Sequence, residues 1–155
     1  MPDPAFVSAA RDIYSDSVSE MRRTLEGVTT AGLNWRPVAQ DANSLAALAV
    51  HAMGATHNWL CIAFGATLPE RDRASEFRAQ AETADGLLAL VDEFARRCDQ
   101  LFDANPDLDG SILRATGGEG QSTAAWALFH AIEHLREHLG QLYLTRQLWE
   151  QSAGR

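Results

Sequence analysis

Three histidines at four-residue intervals, His130, His134 and His138, are the residues of this chain best spaced to do chemistry. In an α-helix a step of four turns a side chain by only about 40°, so the three rings share one stripe. Gln141 falls in that stripe, while Ala127, Leu128, Ala131, Leu135 and Leu142 occupy the adjoining sector, which places the histidines along the border of a buried face. Imidazoles set against a core need partners for their ring nitrogens, and a metal ion is such a partner. A pair at i, i+4 fixes two corners of a coordination sphere. Glu137 lies beside the stripe; it is either a general base next to a metal-bound water or an ordinary exposed helix glutamate.

A second element must supply the remaining nitrogen. His51 sits among Leu48, Ala52 and Ala55 and should point inward, whereas His57 lies about 240° further round the same helix and should face solvent or a loop. His51 opposite His134 and His138 would give three nitrogens with positions left over, the pattern of a catalytic rather than a closed structural site. His130 stays open between a fourth ligand, a replacement for His51, and a group behind the ligands or in a pocket wall. Gln141 reads either as a hydrogen-bond donor to a ligand or as a helix contact, and Gly140 as a point of close helix packing. Trp35, Trp59 and Trp126 either wall an apolar pocket or belong to the core. Nothing marks Cys61 as an activated thiol.

The elements that must position these residues are four helical segments. The first starts at Asp3-Pro4 and runs to about residue 27, with an apolar stripe at Phe6, Ile13, Val18, Met21 and Leu25. A structured loop follows, in which Leu33, Trp35 and Val38 are expected to pack down. The second helix spans about 43–65, capped by Asn43 or Ser44 and stopped by Gly65. The third spans about 84–104, carries Leu87, Leu88, Leu90, Val91, Phe94, Cys98, Leu101 and Phe102, and ends at Asn105-Pro106. A glycine-rich connection over 106–120 suggests a crossing loop or a lid. The fourth helix, capped by Ser122 or Thr123, spans about 123–150. No strand pattern is evident, so residues 1–155 are expected to form one all-α domain, an up-and-down or single-crossover four-helix bundle.

Composition narrows the function. With 155 residues, 46% hydrophobic and 22% charged, the chain has ordinary globular usage. Its net charge of -8 and scattered basic residues disfavour nucleic acid as a partner. Cys61 and Cys98 have no CxxC spacing, which indicates reduced thiols and a cytoplasmic location. No signal peptide is expected at the start of the chain, and no apolar run is expected to reach the roughly 20 residues of a membrane span. Ala5, Phe6, Ala9 and Ile13 at one end, with Tyr143, Leu144, Leu148 and Trp149 at the other, offer more apolar surface than one core consumes, so a homodimer is expected.

His51, the HxxxHxGQ string formed by His134, His138, Gly140 and Gln141, and the LNWRP stretch Leu33 to Pro37 together resemble the DinB/YfiT-like superfamily of four-helix-bundle metalloenzymes, in order along nearly the whole chain. The resemblance implies an up-down-down-up bundle with a long connection before the last helix. It also implies one divalent transition metal, nickel, zinc or iron, held by His51, His134 and His138. Relatives include transferases and isomerases that use low-molecular-weight thiols. Two functions follow as expectations. One is an enzyme of hydrolase or thiol-transferase type acting on a small-molecule substrate through an open metal position; the other is a non-catalytic, stress-associated module with a structural ion. Metal binding is expected to weaken as pH falls through about 6, where free histidine protonates.

Overall fold

The computed structural model describes residues 4–38, 42–118 and 120–153. Four long helices carry the fold: α1 (Pro4–Leu25), α3 (Leu45–Phe64), α5 (Ala84–Ala104) and α6 (Ala124–Ala153). Two short helices, α2 (Thr30–Asn34) and α4 (Arg73–Glu76), interrupt the connections, and a two-stranded antiparallel ribbon, β1 (Leu113–Ala115) with β2 (Gln121–Thr123), precedes α6. Leu113 pairs with Thr123 and Ala115 with Gln121. The all-α class expected from sequence holds. The short helices and the ribbon escaped the sequence because three to five residues are too few to display a period.

Around the bundle, α6 packs against α3 and α1, and α5 packs against the other flanks of the same two helices. Each long helix begins or ends where its local chemistry dictates. Ser44, whose side chain accepts the Ala47 amide, caps α3, and Gly65 ends it in the left-handed region at φ 69°, a backbone shape that favours glycine. Thr83 caps α5 by accepting from Gly86, and the Thr123 hydroxyl accepts the Trp126 amide at the start of α6. Carbonyls in the last turn of α1 and just past its end are met from another helix. Nη1 of Arg146 donates to the backbone oxygens of Arg23, Thr24 and Glu26 at 3.0, 2.9 and 3.2 Å, placing a cation at the negative end of α1.

Packing corrects several expectations. The buried stripe of α1 is Val7, Ala10, Tyr14, Val18, Met21 and Leu25; Ile13 is 48% exposed and Phe6 only half-buried. Tyr14 takes the interior position because its ring packs on Phe94 and Phe102 and its hydroxyl reaches the Ala95 carbonyl. Leu90 and Val38, expected in the core, are exposed. Leu33 is fully buried, and Trp35 packs on Trp149 rather than near Trp59 or Trp126. The helix α6 runs on to Ala153, past the end expected near residue 150, while Gly154 lies outside the described residues.

The expectation that no apolar run approaches membrane-spanning length also fails. The 20 residues of α3 are long and apolar enough by composition to cross a bilayer, with 72% of the window buried inside the bundle. A helix ringed by α5, α6 and the short α2 and α4 is apolar nearly all round because nearly all of it is core.

Candidate metal centre

The facing of α3 on α6 brings His51, His134 and His138 together. Ring centroids lie 5.1 Å apart for His51 and His134, 4.8 Å for His51 and His138, and 4.4 Å for His134 and His138. One donor atom from each ring falls within 4.8 Å of the others. His51 is 2% exposed, whereas His134 and His138 are half-buried, so the cluster has a wall of α3 behind it and solvent within reach on the α6 side.

The ring nitrogens are not free to choose their roles. Nδ1 of His51 donates to Oε2 of Glu76 at 2.8 Å, and Nδ1 of His138 donates to Oε1 of Gln141 at 2.8 Å. Both rings then keep Nε2 as a lone pair. Nε2 of His138 faces Nε2 of His134 at 3.2 Å, while Nδ1 of His134 is buried and has no hydrogen-bond partner among the described residues. A contact that short needs either a proton, with Nε2–H of His134 donating to His138, or a cation shared by the two nitrogens. The donor set fits a divalent transition metal: neutral imidazole nitrogens at about 2.1 Å from one ion sit roughly 3.4 Å apart in tetrahedral geometry. The three rings could hold an ion after a shift of about an ångström in side-chain position.

Burial favours the neutral form of two of the rings, His134 and His51, the state that ligation needs. Burial, then the charges on His138, His51, His130 and Arg71, pushes His134 down to about 4. Burial also lowers His51; the Glu76 hydrogen bond opposes this, and the charges on His138 and Arg71 add to it.

The remaining histidines lie elsewhere. His130 is one turn before the cluster, its ring stacked on Trp126 at 4.7 Å and edge-on to Trp59 at 4.7 Å, with Glu133 3.4 Å from Nδ1. It stands in an aromatic wall whose Trp59 and Trp126 border a cavity of about 370 Å³ beside the β-ribbon. His57 points away as expected, with Nε2 3.8 Å from Cys61 Sγ and in a separate cleft with Glu93 and Arg97. Cys61 is buried, and burial raises its thiol, the opposite of activation. Glu137 is exposed and makes no hydrogen bond or ion pair among the described residues. Gly140 is not a close-packing point: a side chain built there would meet nothing within 4 Å.

Sequence reasoning missed the group behind His51. Glu76, on the one-turn helix α4, is 8% exposed and accepts from Arg71 through Nε at 2.6 Å and Nη2 at 2.8 Å besides holding His51. Phe77 stacks on the His51 ring at 4.2 Å. The LNWRP stretch then acquires a structural purpose. Asn34 makes two 2.8 Å hydrogen bonds with the backbone of Ala81, and Arg36 donates to the Phe77 carbonyl at 2.9 Å, so both tie down the segment that lies over His51. The cap at Asp72, accepting from Ala74 and Ser75, was a legible signal for a turn of helix, but nothing near it in sequence pointed to a histidine 25 residues earlier.

Comparisons with known proteins bear on the fold and the family. The crystal structure of a conserved protein from Enterococcus faecalis has the same fold with a TM-score of 0.62, at 17% sequence identity over 91% of this chain and 95% of that one. No curated protein matches the chain. The family model of the mycothiol-S-transferases matches residues 11–151, and on that match this chain belongs to the mycothiol-S-transferase family, a DinB-like family.

Proposed function

We propose that the chain is a metal-dependent thiol S-transferase, joining a low-molecular-weight thiol of the mycothiol type to a small electrophile. The observation that carries this is the convergence of His51, His134 and His138 with two of their three Nδ1 atoms tied to oxygen acceptors. A divalent ion held by the three rings would supply Lewis acidity, favouring the thiolate over the thiol near neutral pH. The chain's own residues do the rest. Glu76 and Gln141 aim Nε2 of His51 and His138 inward, Phe77 fixes the plane of His51, and burial keeps His51 and His134 unprotonated. Half-exposure of His134 and His138 leaves a side from which the thiol and its electrophile can approach. In the reaction the thiol proton goes to solvent, a carbon–sulfur bond forms, and the bond from that carbon to its leaving group breaks, the electron pair departing with the leaving group. Such chemistry suits the cytoplasm, where small thiols are kept reduced. Glu137, exposed and without a hydrogen bond or ion pair among the described residues, has no part in this scheme.

Three protein donors rather than four favour this reading over a structural ion. The test is protein purified without a nickel column, assayed for bound metal, then incubated with mycothiol or glutathione and a halogenated bimane, with the thioether read by mass spectrometry. Metal-dependent conjugate with mycothiol supports the transferase; stoichiometric metal without conjugate from either thiol would leave a metal-binding module. Ile13, Tyr143, Leu144 and Leu148, exposed by 48%, 40%, 57% and 37%, are the basis on which we further propose a homodimer.

A further inference from the structure

We infer that Glu76 and Arg71 form a positioning pair for His51, fixing which of its nitrogens carries the proton and which is presented to His134 and His138. The consequence for metal binding rests on the proposed metal centre; the consequence for the ring itself does not. A carboxylate buried this deeply is costly unless it is paired and hydrogen-bonded, and Glu76 is both. Its two oxygens receive the two-pronged fork of Arg71 at 2.6 and 2.8 Å, and Oε2 also accepts from His51 at 2.8 Å. Room for this is provided by α3 itself: Gly54, one turn after His51, has no side chain, and a Cβ there would lie 2.5 Å from Oε1 of Glu76. Phe77 adds the second constraint, a face-to-face contact at an interplanar angle of 30°. The ring is therefore held in its plane by one residue and along its edge by the one before it.

A carboxylate behind an imidazole does two separable things. It fixes the tautomer, with the proton on Nδ1 and the lone pair on Nε2, and its negative charge makes that lone pair a better donor. Arg71 neutralises the charge enough for it to stay buried and holds the carboxylate in place. Exchanging the carboxylate for an amide keeps an acceptor oxygen and removes the charge; exchanging it for a methyl group removes both.

Two measurements on the full chain test this. Imidazole ¹⁵N shifts of the metal-free protein report the His51 tautomer, and competition with a chromogenic chelator reports zinc affinity. In the parent protein His51 is expected to be wholly the Nδ1–H tautomer. Glu76→Ala should release it to a mixture and weaken zinc by about 10–100-fold. Glu76→Gln should keep the tautomer and weaken zinc less than Glu76→Ala does. If Glu76→Ala does not fold, Glu76→Gln and Arg71→Met decide, since both should weaken zinc while circular dichroism stays helical. An Nε2–H or mixed His51 in the parent, or zinc affinities of the folded variants within about twofold of it, would overturn the pair. Should the parent bind no zinc, the metal reading fails, and the tautomer alone still decides for or against Glu76.

Discussion

Replacing Gly54 with alanine adds a single methyl group to α3, and two opposing effects follow. Alanine is the better helix former, which favours the variant by about 1 kcal/mol in a helix interior. Against this, the new Cβ would stand 2.5 Å from Oε1 and 3.2 Å from Cδ of Glu76, and 3.4 Å from Nε of Arg71. To restore an ordinary contact near 3.4 Å the carboxylate must retreat by about 0.9 Å, which stretches its 2.6 and 2.8 Å hydrogen bonds out of range. A carboxylate end can usually swing away at little cost, but this one is bonded to Arg71 and His51 and only 8% exposed. Losing one charge-assisted bond at about 1.5–3 kcal/mol outweighs the helix gain and leaves a net loss of roughly 0.5–2 kcal/mol, and losing two leaves roughly 2–5 kcal/mol. With His51 no longer aimed, zinc affinity should fall by about 10–100-fold. Urea denaturation of the metal-free variant gives the first number and chelator competition the second. A variant as stable as the parent or more so, with zinc affinity unchanged, would refute the reasoning, because the methyl group would then have been accommodated without disturbing the carboxylate.

His138→Ala should abolish most zinc binding, while His57→Ala, altering a ring that faces Cys61, should leave it intact; isothermal titration of the two variants separates them. Lowering pH should cost stability between about 6.5, where His134 protonates in the unfolded chain, and about 4, where it does so in the folded one, because the unfolded state takes up its proton first; denaturation midpoints from pH 7 to 4 should fall steadily. For the same reason proton competition at His134, and in the same direction at His51, should set in below the range near 6 expected from free histidine, so these two ligands should still be open to zinc at pH 6, which zinc titrations from pH 7 to 4 would check. Glu137→Gln should change conjugate formation by less than about threefold, since an exposed carboxylate without a hydrogen bond or ion pair among the described residues offers little to general-base catalysis. Light scattering at micromolar concentration should give the mass of a dimer, and Leu144→Glu should shift it to that of a monomer.

What could be known from sequence alone here was what the chain determines locally. The four long helices, their caps at Ser44 and Thr83 and the glycine stop at Gly65 follow from residue types a few positions apart. So does the juxtaposition of His134 and His138, because i, i+4 neighbours meet on any helix whatever surrounds it. His51 was within reach only because its own face is lined by small apolar residues and because the motifs of a known family pass through it. Tertiary packing decided the rest. Whether Phe6 and Ile13 or Val7 and Tyr14 face inward on α1 depends on where Phe94 and Phe102 stand on α5, a choice no local period makes. The same holds for Glu76: a carboxylate in a charged connection becomes the partner of a histidine 25 residues away only when α4 settles on the bare backbone at Gly54, with Arg71 to neutralise it and Arg36 holding the next carbonyl. Spacing along one helix fixed the pair on α6. The direction in which the third imidazole points is a property of three segments packed together.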